Sequence, residues 1–149
     1  MIRVQTEDFD AGREIENLSR GKTGIGGVVA FIGTVRGGGK EGVKAMTLEH
    51  YPGMTEQELA AIEAEANRRW NLEASLIIHR YGRLLPGERI VLVVTASPHR
   101  ADAFAANEFL VDWLKTKAPF WKLEETREGE HWVEARASDD HAAKRWVKG

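Results

Sequence analysis

Residues 89–122, RIVLVVTASPHRADAFAANEFLVDWLKTKAPFWK, contain the change of pattern that decides the fold. The apolar, β-branched run from Arg89 to Ser97 predicts a buried strand. From about His99 to Lys117 the apolar residues recur at helical spacing, and Pro119 ends the predicted helix. A strand therefore leads directly into a long helix.

Similar signals alternate along the rest of the chain. A helix is predicted at 10–20, where Asp10 is placed to cap it. A Thr55-to-Glu58 capping box predicts a second helix that ends near Trp70. Further strands are predicted at 2–6, 25–35, 43–49, 75–81, 121–126 and 131–135. The strands at 25–35 and 43–49 flank the glycine loop 37–40, which suggests a hairpin.

Composition narrows the possible classes of protein. The chain has 149 residues, of which 42% are hydrophobic, and we expect one α+β domain over 1–149 with a loose tail from about 138 to 149. A net charge of -2 argues against nucleic-acid binding. The first residues carry no apolar run and no stretch reaches the length of a membrane span, so we expect a cytoplasmic protein with no membrane partner. The absence of cysteine excludes a thiol nucleophile and disulfides.

The sequence supports neither a phosphate-binding loop nor a histidine metal site. Gly21-Lys22-Thr23 resembles the end of a phosphate-binding loop, but Glu16 stands where that motif needs its first glycine. The five histidines show no metal-ligand spacing, so we expect no metal site.

Five cations occupy positions suited to binding an anion. Arg36 ends a predicted strand, and His99 and Arg100 stand at a helix N-terminus, where free amides favour negative charge. Lys115 lies near the end of that helix, and Lys122 lies among aromatic residues. Four of them have a plainer interpretation: a solvated strand end for Arg36, a cap for His99, a helix-dipole charge for Lys115 and a side chain lying over Trp121 for Lys122. The positions of these residues suggest an anion-binding pocket but do not identify a reaction.

The order of six segments carries a resemblance that covers nearly the whole chain. They are 31–36 (FIGTVR), 48–54 (LEHYPGM), 79–82 (HRYG), 97–104 (SPHRADAF), 112–122 (DWLKTKAPFWK) and 132–136 (WVEAR). Together they resemble the large subunit of molybdopterin synthase. The family fold is an α/β hammerhead with an additional antiparallel β subdomain.

The resemblance implies an enzyme, a sulfurtransferase of molybdenum-cofactor biosynthesis with no cofactor of its own. The family installs the dithiolene of molybdopterin on cyclic pyranopterin monophosphate. The sulfur comes from a small ubiquitin-like subunit whose C-terminal Gly-Gly ends in a thiocarboxylate. The family forms a central homodimer with one small subunit at each end, a heterotetramer. The lack of cysteine agrees with sulfur delivered by a partner.

The resemblance also assigns roles to individual residues. Lys115 matches the catalytic lysine, and Lys122 matches the second functional lysine. Arg36 matches a phosphate-binding residue. The remaining substrate-binding residues that it implies are Thr34, Val35, His99, Arg100, Leu123 and Glu124.

The length of the predicted helix adds an inference from geometry. His99 and Lys115 are 16 residues apart, which on one straight helix is roughly 24 Å at 1.5 Å per residue. A pterin is far shorter than that distance. We therefore expect His99 and Arg100 to reach the neighbouring subunit's site across a two-fold interface.

Two other classes of function stay open at this point. The chain would be a non-catalytic scaffold if it bound a ubiquitin-like tail without turnover. An anion-binding or RNA-binding module would show steep salt dependence with nucleic acid.

Overall fold

The computed structural model describes residues 1–38, 42–133 and 137–147. The strands are β1 (Ile2–Gln5), β2 (Gly27–Thr34), β3 (Ala45–His50), β4 (Ala74–Arg80), β5 (Gly82–Leu84), β6 (Arg89–Ser97), β7 (Phe120–Thr126) and β8 (Gly129–Val133). The helices are α1 (Ala11–Ser19), α2 (Met54–Arg69), α3 (Arg100–Lys117) and α4 (Ala137–Lys144). Gly39 and Lys40 of the predicted glycine loop, and 134–136 of the last motif, lie outside the described residues.

The strands form two sheets of four. The first sheet has the order β1-β4-β6-β2, and only its β1–β4 pair is parallel. The second sheet has the order β5-β3-β7-β8 and is antiparallel throughout. This is the predicted α+β class, with an antiparallel β subdomain beside the α/β unit.

Helices cover both faces of the first sheet because its central strands are apolar on both sides. Ile77 and Val93 pack against α2 and α3, in a core that includes Leu59, Phe109 and Leu110. On the opposite face, Leu76, Ile78, Leu92 and Val94 pack with Phe9 and the apolar side of α1. A strand buried on both faces is typical of a continuous apolar run such as Arg89–Ser97.

The predicted hairpin between 25–35 and 43–49 is wrong. β2 pairs with β6 in the first sheet, whereas β3 pairs with β5 and β7 in the second. A single bridge, Gly38 to Val43, joins the segments that follow β2 and precede β3. The chain therefore passes from the first sheet to the second between Thr34 and Ala45. Strand β5, within the link between β4 and β6, was not predicted.

The start of α2 also differs from the prediction. Gly53 is the N-cap residue with φ 87°, and its N–H donates to Glu56 Oε2 at 2.6 Å. Thr55, the predicted cap, is buried and instead donates its hydroxyl to the Tyr51 carbonyl. In α1 the predicted cap is confirmed, because Asp10 Oδ1 accepts from the Arg13 N–H at 3.1 Å.

A loose tail was expected from about residue 138 to 149, and the structure describes residues 137–147 packed against the rest of the chain. Helix α4 contacts α3, and the Trp146 Nε1–H donates to Asp112 Oδ2 at 2.6 Å. The Trp146 ring also packs edge-on against Trp70 and Phe109. Burial of this aromatic ring holds a segment whose charged composition suggested solvent. No helix in the described part of the chain is long and apolar enough to cross a membrane.

Asn107 fastens α3 to the first sheet. Its buried amide donates to the Val29 carbonyl at 3.1 Å and to the Val93 carbonyl at 3.0 Å. The bonds therefore tie one helix to two neighbouring strands.

We expect Asn107→Ala to lower the free energy of unfolding by about 2 kcal/mol, because it deletes buried hydrogen bonds and leaves a cavity. Urea unfolding followed by circular dichroism measures the change. The matched control is Asn67→Ala on α2, an exposed amide that donates to the Glu63 carbonyl, for which the loss should stay below about 0.5 kcal/mol. Equal losses in the two variants would contradict this account of Asn107.

Candidate active site

The two predicted lysines lie close to one histidine, His79 at the end of β4. The pKa of His79 falls from 6.5 to about 4, first because burial disfavours the charged ring. The positive charges of Lys122, Lys115 and His50 lower the pKa further, whereas the hydrogen bond to the Arg80 backbone raises it. Lys115 and Lys122 therefore act on the same ring from different elements, α3 and β7.

The register of the strands explains why Lys115 reaches this point. His79 shares the side of β4 with Ile77, the side on which α3 packs. Since α3 follows β6 and runs back across the sheet, its last turn lies over the end of β4. Lys115 is exposed there, and Lys122 is half-buried.

Aromatic rings form the wall beside the lysines. The His79 ring stacks on Phe120, with centroids 3.7 Å apart and planes at 14°. His50 lies 6.0 Å from Phe120 and 4.4 Å from Tyr81. These rings join the end of the first sheet to β3 and β7 of the second.

Strand alternation decides what surrounds Lys122. Phe120, Lys122 and Glu124 share one face of β7, whereas Trp121 and Leu123 point to the other. Trp121 packs edge-on against Tyr51, with ring centroids 4.3 Å apart.

Of the two predicted neighbours of Lys122, the structure brings only Glu124 to its face. The Glu124 carboxylate lies 3.7 Å from His131 Nε2 on β8. Leu123 is paired with Trp132 in the ladder and points to the opposite face.

Thr34 ends β2, two strands away from His79, and Val35 and Arg36 follow it. Gly33, Val91 and His79 are in register across β2, β6 and β4, a span of about 10 Å at two strand spacings. Val35 is buried, and its N–H donates to the Glu88 carbonyl at 2.9 Å.

Arg36 is exposed at the same end of the sheet as the lysines, and it has no ion-pair partner in the described part of the chain. It is therefore available to bind an anion.

His99 and Arg100 lie at the opposite end of α3. His99 is the N-cap residue, exposed, and its N–H bonds the Ser97 hydroxyl at 3.3 Å. Because α3 is one continuous helix from Arg100 to Lys117, the pair stays roughly 24 Å from Lys115 within one chain. The structure does not bring these residues together.

Three site residues were missed from sequence: His79, His50 and Phe120. All three belong to the recognised segments, and that membership was the available signal. Nothing in their spacing showed that they meet, because the contact joins two sheets. Among the described residues no cluster of histidine or acidic side chains is arranged to hold a metal ion. Gly21-Lys22-Thr23 follows a helix and precedes a strand, the reverse of a phosphate-binding loop.

The fold and the site define a two-sheet α+β protein with a cationic centre where the sheets meet. Residues 4–117 match the family model described as MoaE protein, and the chain belongs to that family. The molybdopterin synthase catalytic subunit of Pseudomonas aeruginosa is 56% identical over 147 residues, covering 97% of each chain.

Two solved structures share the fold. The molybdopterin biosynthesis MoaE protein of Burkholderia ambifaria superposes with a TM-score of 0.83 and 52% identity, covering 99% of this chain and 98% of that one. The crystal structure of molybdopterin synthase from Staphylococcus aureus gives a TM-score of 0.82 and 32% identity, covering 89% and 96%. These likenesses confirm the resemblance read from the sequence.

The His79 ring is expected to titrate with a midpoint of about 4 instead of 6.5. Because the folded pKa lies below the unfolded value, this group makes folding less favourable as the pH falls from 6.5 towards 4. NMR titration of the histidine rings measures the midpoint, and His79→Gln assigns the resonance. A midpoint for His79 at or above 6.5 would contradict the arrangement of charges described here.

Proposed function

We propose that this chain transfers sulfur from the C-terminal thiocarboxylate of a small ubiquitin-like subunit to cyclic pyranopterin monophosphate, forming the dithiolene of molybdopterin. The observation that carries the proposal is that the positive charges of Lys115, from α3, and Lys122, from β7, both act on the His79 ring, which stacks on Phe120. Two ammonium groups from different elements form a site for an anionic tail and an anionic substrate.

The chemistry of the chain supports a partner that brings the sulfur. With no cysteine, the chain has no thiol to carry a persulfide. The relatives are named catalytic subunits, which describes one part of an enzyme with several subunits. The lack of cysteine also fits a reducing compartment, so we propose a cytoplasmic location.

Within this proposal Lys115 holds the thiocarboxylate and can donate a proton as the sulfur attacks. Lys122 supplies the second positive charge beside it, and Glu124 lies on the same strand face. Arg36, with Thr34 and Val35, binds the phosphate at the end of β2. Leu123 lines the tail from the other face of β7.

We also propose that the site is completed by a second copy of the chain. His99 and Arg100 belong to the substrate-binding set, but α3 holds them far from the lysines of their own chain. The nearby edge of the first sheet supports self-association: β2 is an edge strand, and Phe104, one turn into α3, is 61% exposed. Val28 and Ile32 on β2 add exposed apolar surface.

Lys115→Ala is expected to lower product formation at least about tenfold, which is about 1.4 kcal/mol of barrier. The assay supplies the cyclic pterin phosphate and the thiocarboxylated small subunit and measures the dithiolene product. The matched control is Lys117→Ala, an exposed lysine in the same helical turn whose ammonium lies 5.4 Å from the Trp113 ring. Partner binding without any product from the wild type would instead support a non-catalytic scaffold.

Subunit mixing tests the two-chain site. His99→Ala and Lys115→Ala homodimers are each expected to lose at least about tenfold of the wild-type activity. A heterodimer of the two variants, purified with two different tags, should recover about half of the wild-type activity, because one of its two sites then has both residues. A heterodimer with no activity, made from the same two chains, would show that His99 and Lys115 serve a site within one chain.

A further inference from the structure

The two ring nitrogens of His79 have different hydrogen-bonding roles. Nδ1 lies 2.8 Å from the Arg80 carbonyl oxygen. A carbonyl oxygen can only accept, so Nδ1 carries the proton and donates it. Nε2 of the neutral ring is therefore a lone-pair acceptor, and the ring cannot rotate without breaking the bond to its own strand.

Phe120, whose ring stacks on His79, lies on the same strand as Lys122. Phe120 is the first residue of β7 and lies two residues before Lys122 on the same face. Its ring is nearly parallel to the His79 ring, at 3.7 Å. The position of the start of β7, and of Lys122 on it, therefore depends on where His79 holds Phe120.

A second histidine supports Phe120 from the second sheet. His50 is paired with Phe120 in the ladder, and its Nδ1 lies 3.0 Å from the Thr55 hydroxyl oxygen. The Thr55 hydroxyl donates to the Tyr51 carbonyl at 2.7 Å, so its oxygen accepts from His50 Nδ1. Both histidines are thus fixed through Nδ1, one on each sheet.

The charged groups that act on the His79 ring are Lys122 from β7, Lys115 from α3 and His50 from β3, and Phe120 stacks on the ring. All of the titratable groups among them are cationic when charged. A charged imidazole would add a further positive charge next to the lysines. Their repulsion would weaken the packing of the His79 ring where the two sheets meet. An uncharged ring leaves the positive charge of the site on the flexible lysine side chains.

We propose that His79 is a positioning residue, which as an uncharged ring clamped between the Arg80 carbonyl and Phe120 fixes the start of β7 and so places Lys122 beside Lys115. This inference rests on the proposed function for its kinetic test, because it assigns a role within that reaction. It does not require His79 to touch the substrate or to exchange a proton with it.

Two substitutions of His79 distinguish the effect of its stacking on Phe120 from the effects of its ring nitrogens. His79→Phe keeps an uncharged ring that can stack on Phe120, whereas His79→Gln keeps polar atoms but removes the ring. We expect kcat to fall at least about tenfold in His79→Gln, with KM changed less than about threefold, and to stay within about threefold of wild type in His79→Phe. His141→Gln, an exposed histidine on α4, is the matched control and should leave kcat unchanged.

A pH profile distinguishes positioning from proton transfer. Since His79 is uncharged across the working range, kcat of wild type and of His79→Phe should follow the same curve from about pH 6 to pH 9. Loss of an acid limb in His79→Phe would mean that His79 itself titrates in the reaction, which would overturn the proposal.

Lysine labelling gives a readout that needs no turnover. In His79→Gln the released β7 should let Lys122 react with an amine-acetylating reagent at least about threefold faster, by mass spectrometry, while exposed Lys22 is unchanged. Unchanged labelling and unchanged kcat in His79→Gln, or equal loss of kcat in both variants, would overturn the inference. Absence of product from the wild type would instead count against the proposed function, and the labelling result would still decide the role of His79.

Discussion

The packing of α3 across the first sheet is the constraint on which the rest of the structure depends. Phe109 and Leu110 are fully buried in the core beneath it, and Asn107 bonds two strands at once. A helix held this firmly acts as a rigid spacer. It fixes Lys115 above the end of β4 and holds His99 at the other end, so one element sets both halves of the proposed two-chain site.

The second constraint is the joint between the two sheets. Backbone ladders hold each sheet together, but at the site the sheets meet through the rings of His79, Phe120 and His50. Lys122 stands on one side of this joint and Lys115 on the other. Electrostatic catalysis depends on fixed distances between charges, so a rigid aromatic joint suits a site whose chemistry uses two cations.

These features fit a subunit that receives its sulfur from outside. A thiocarboxylate tail is anionic and flexible, and a preformed cationic centre binds it with little reorganisation. Neutral His79 keeps the site from acquiring a further charge as the pH falls towards 6, since its pKa is about 4. The chain then needs no thiol, metal ligand or phosphate-binding loop of its own for this role.

The sequence by itself determined the class of fold, most of the elements and the family. Apolar runs, helical spacing and the Asp10 cap are local properties, and local patterns predicted β6 and α3 within a residue or two. Six ordered segments identified the family. The tertiary structure alone decided which strands pair, that the chain passes from the first sheet to the second between Thr34 and Ala45, and that the segment around Trp146 docks. It alone brought His79 to Phe120, because contacts between residues about 40 positions apart depend on packing and register, which no local pattern encodes.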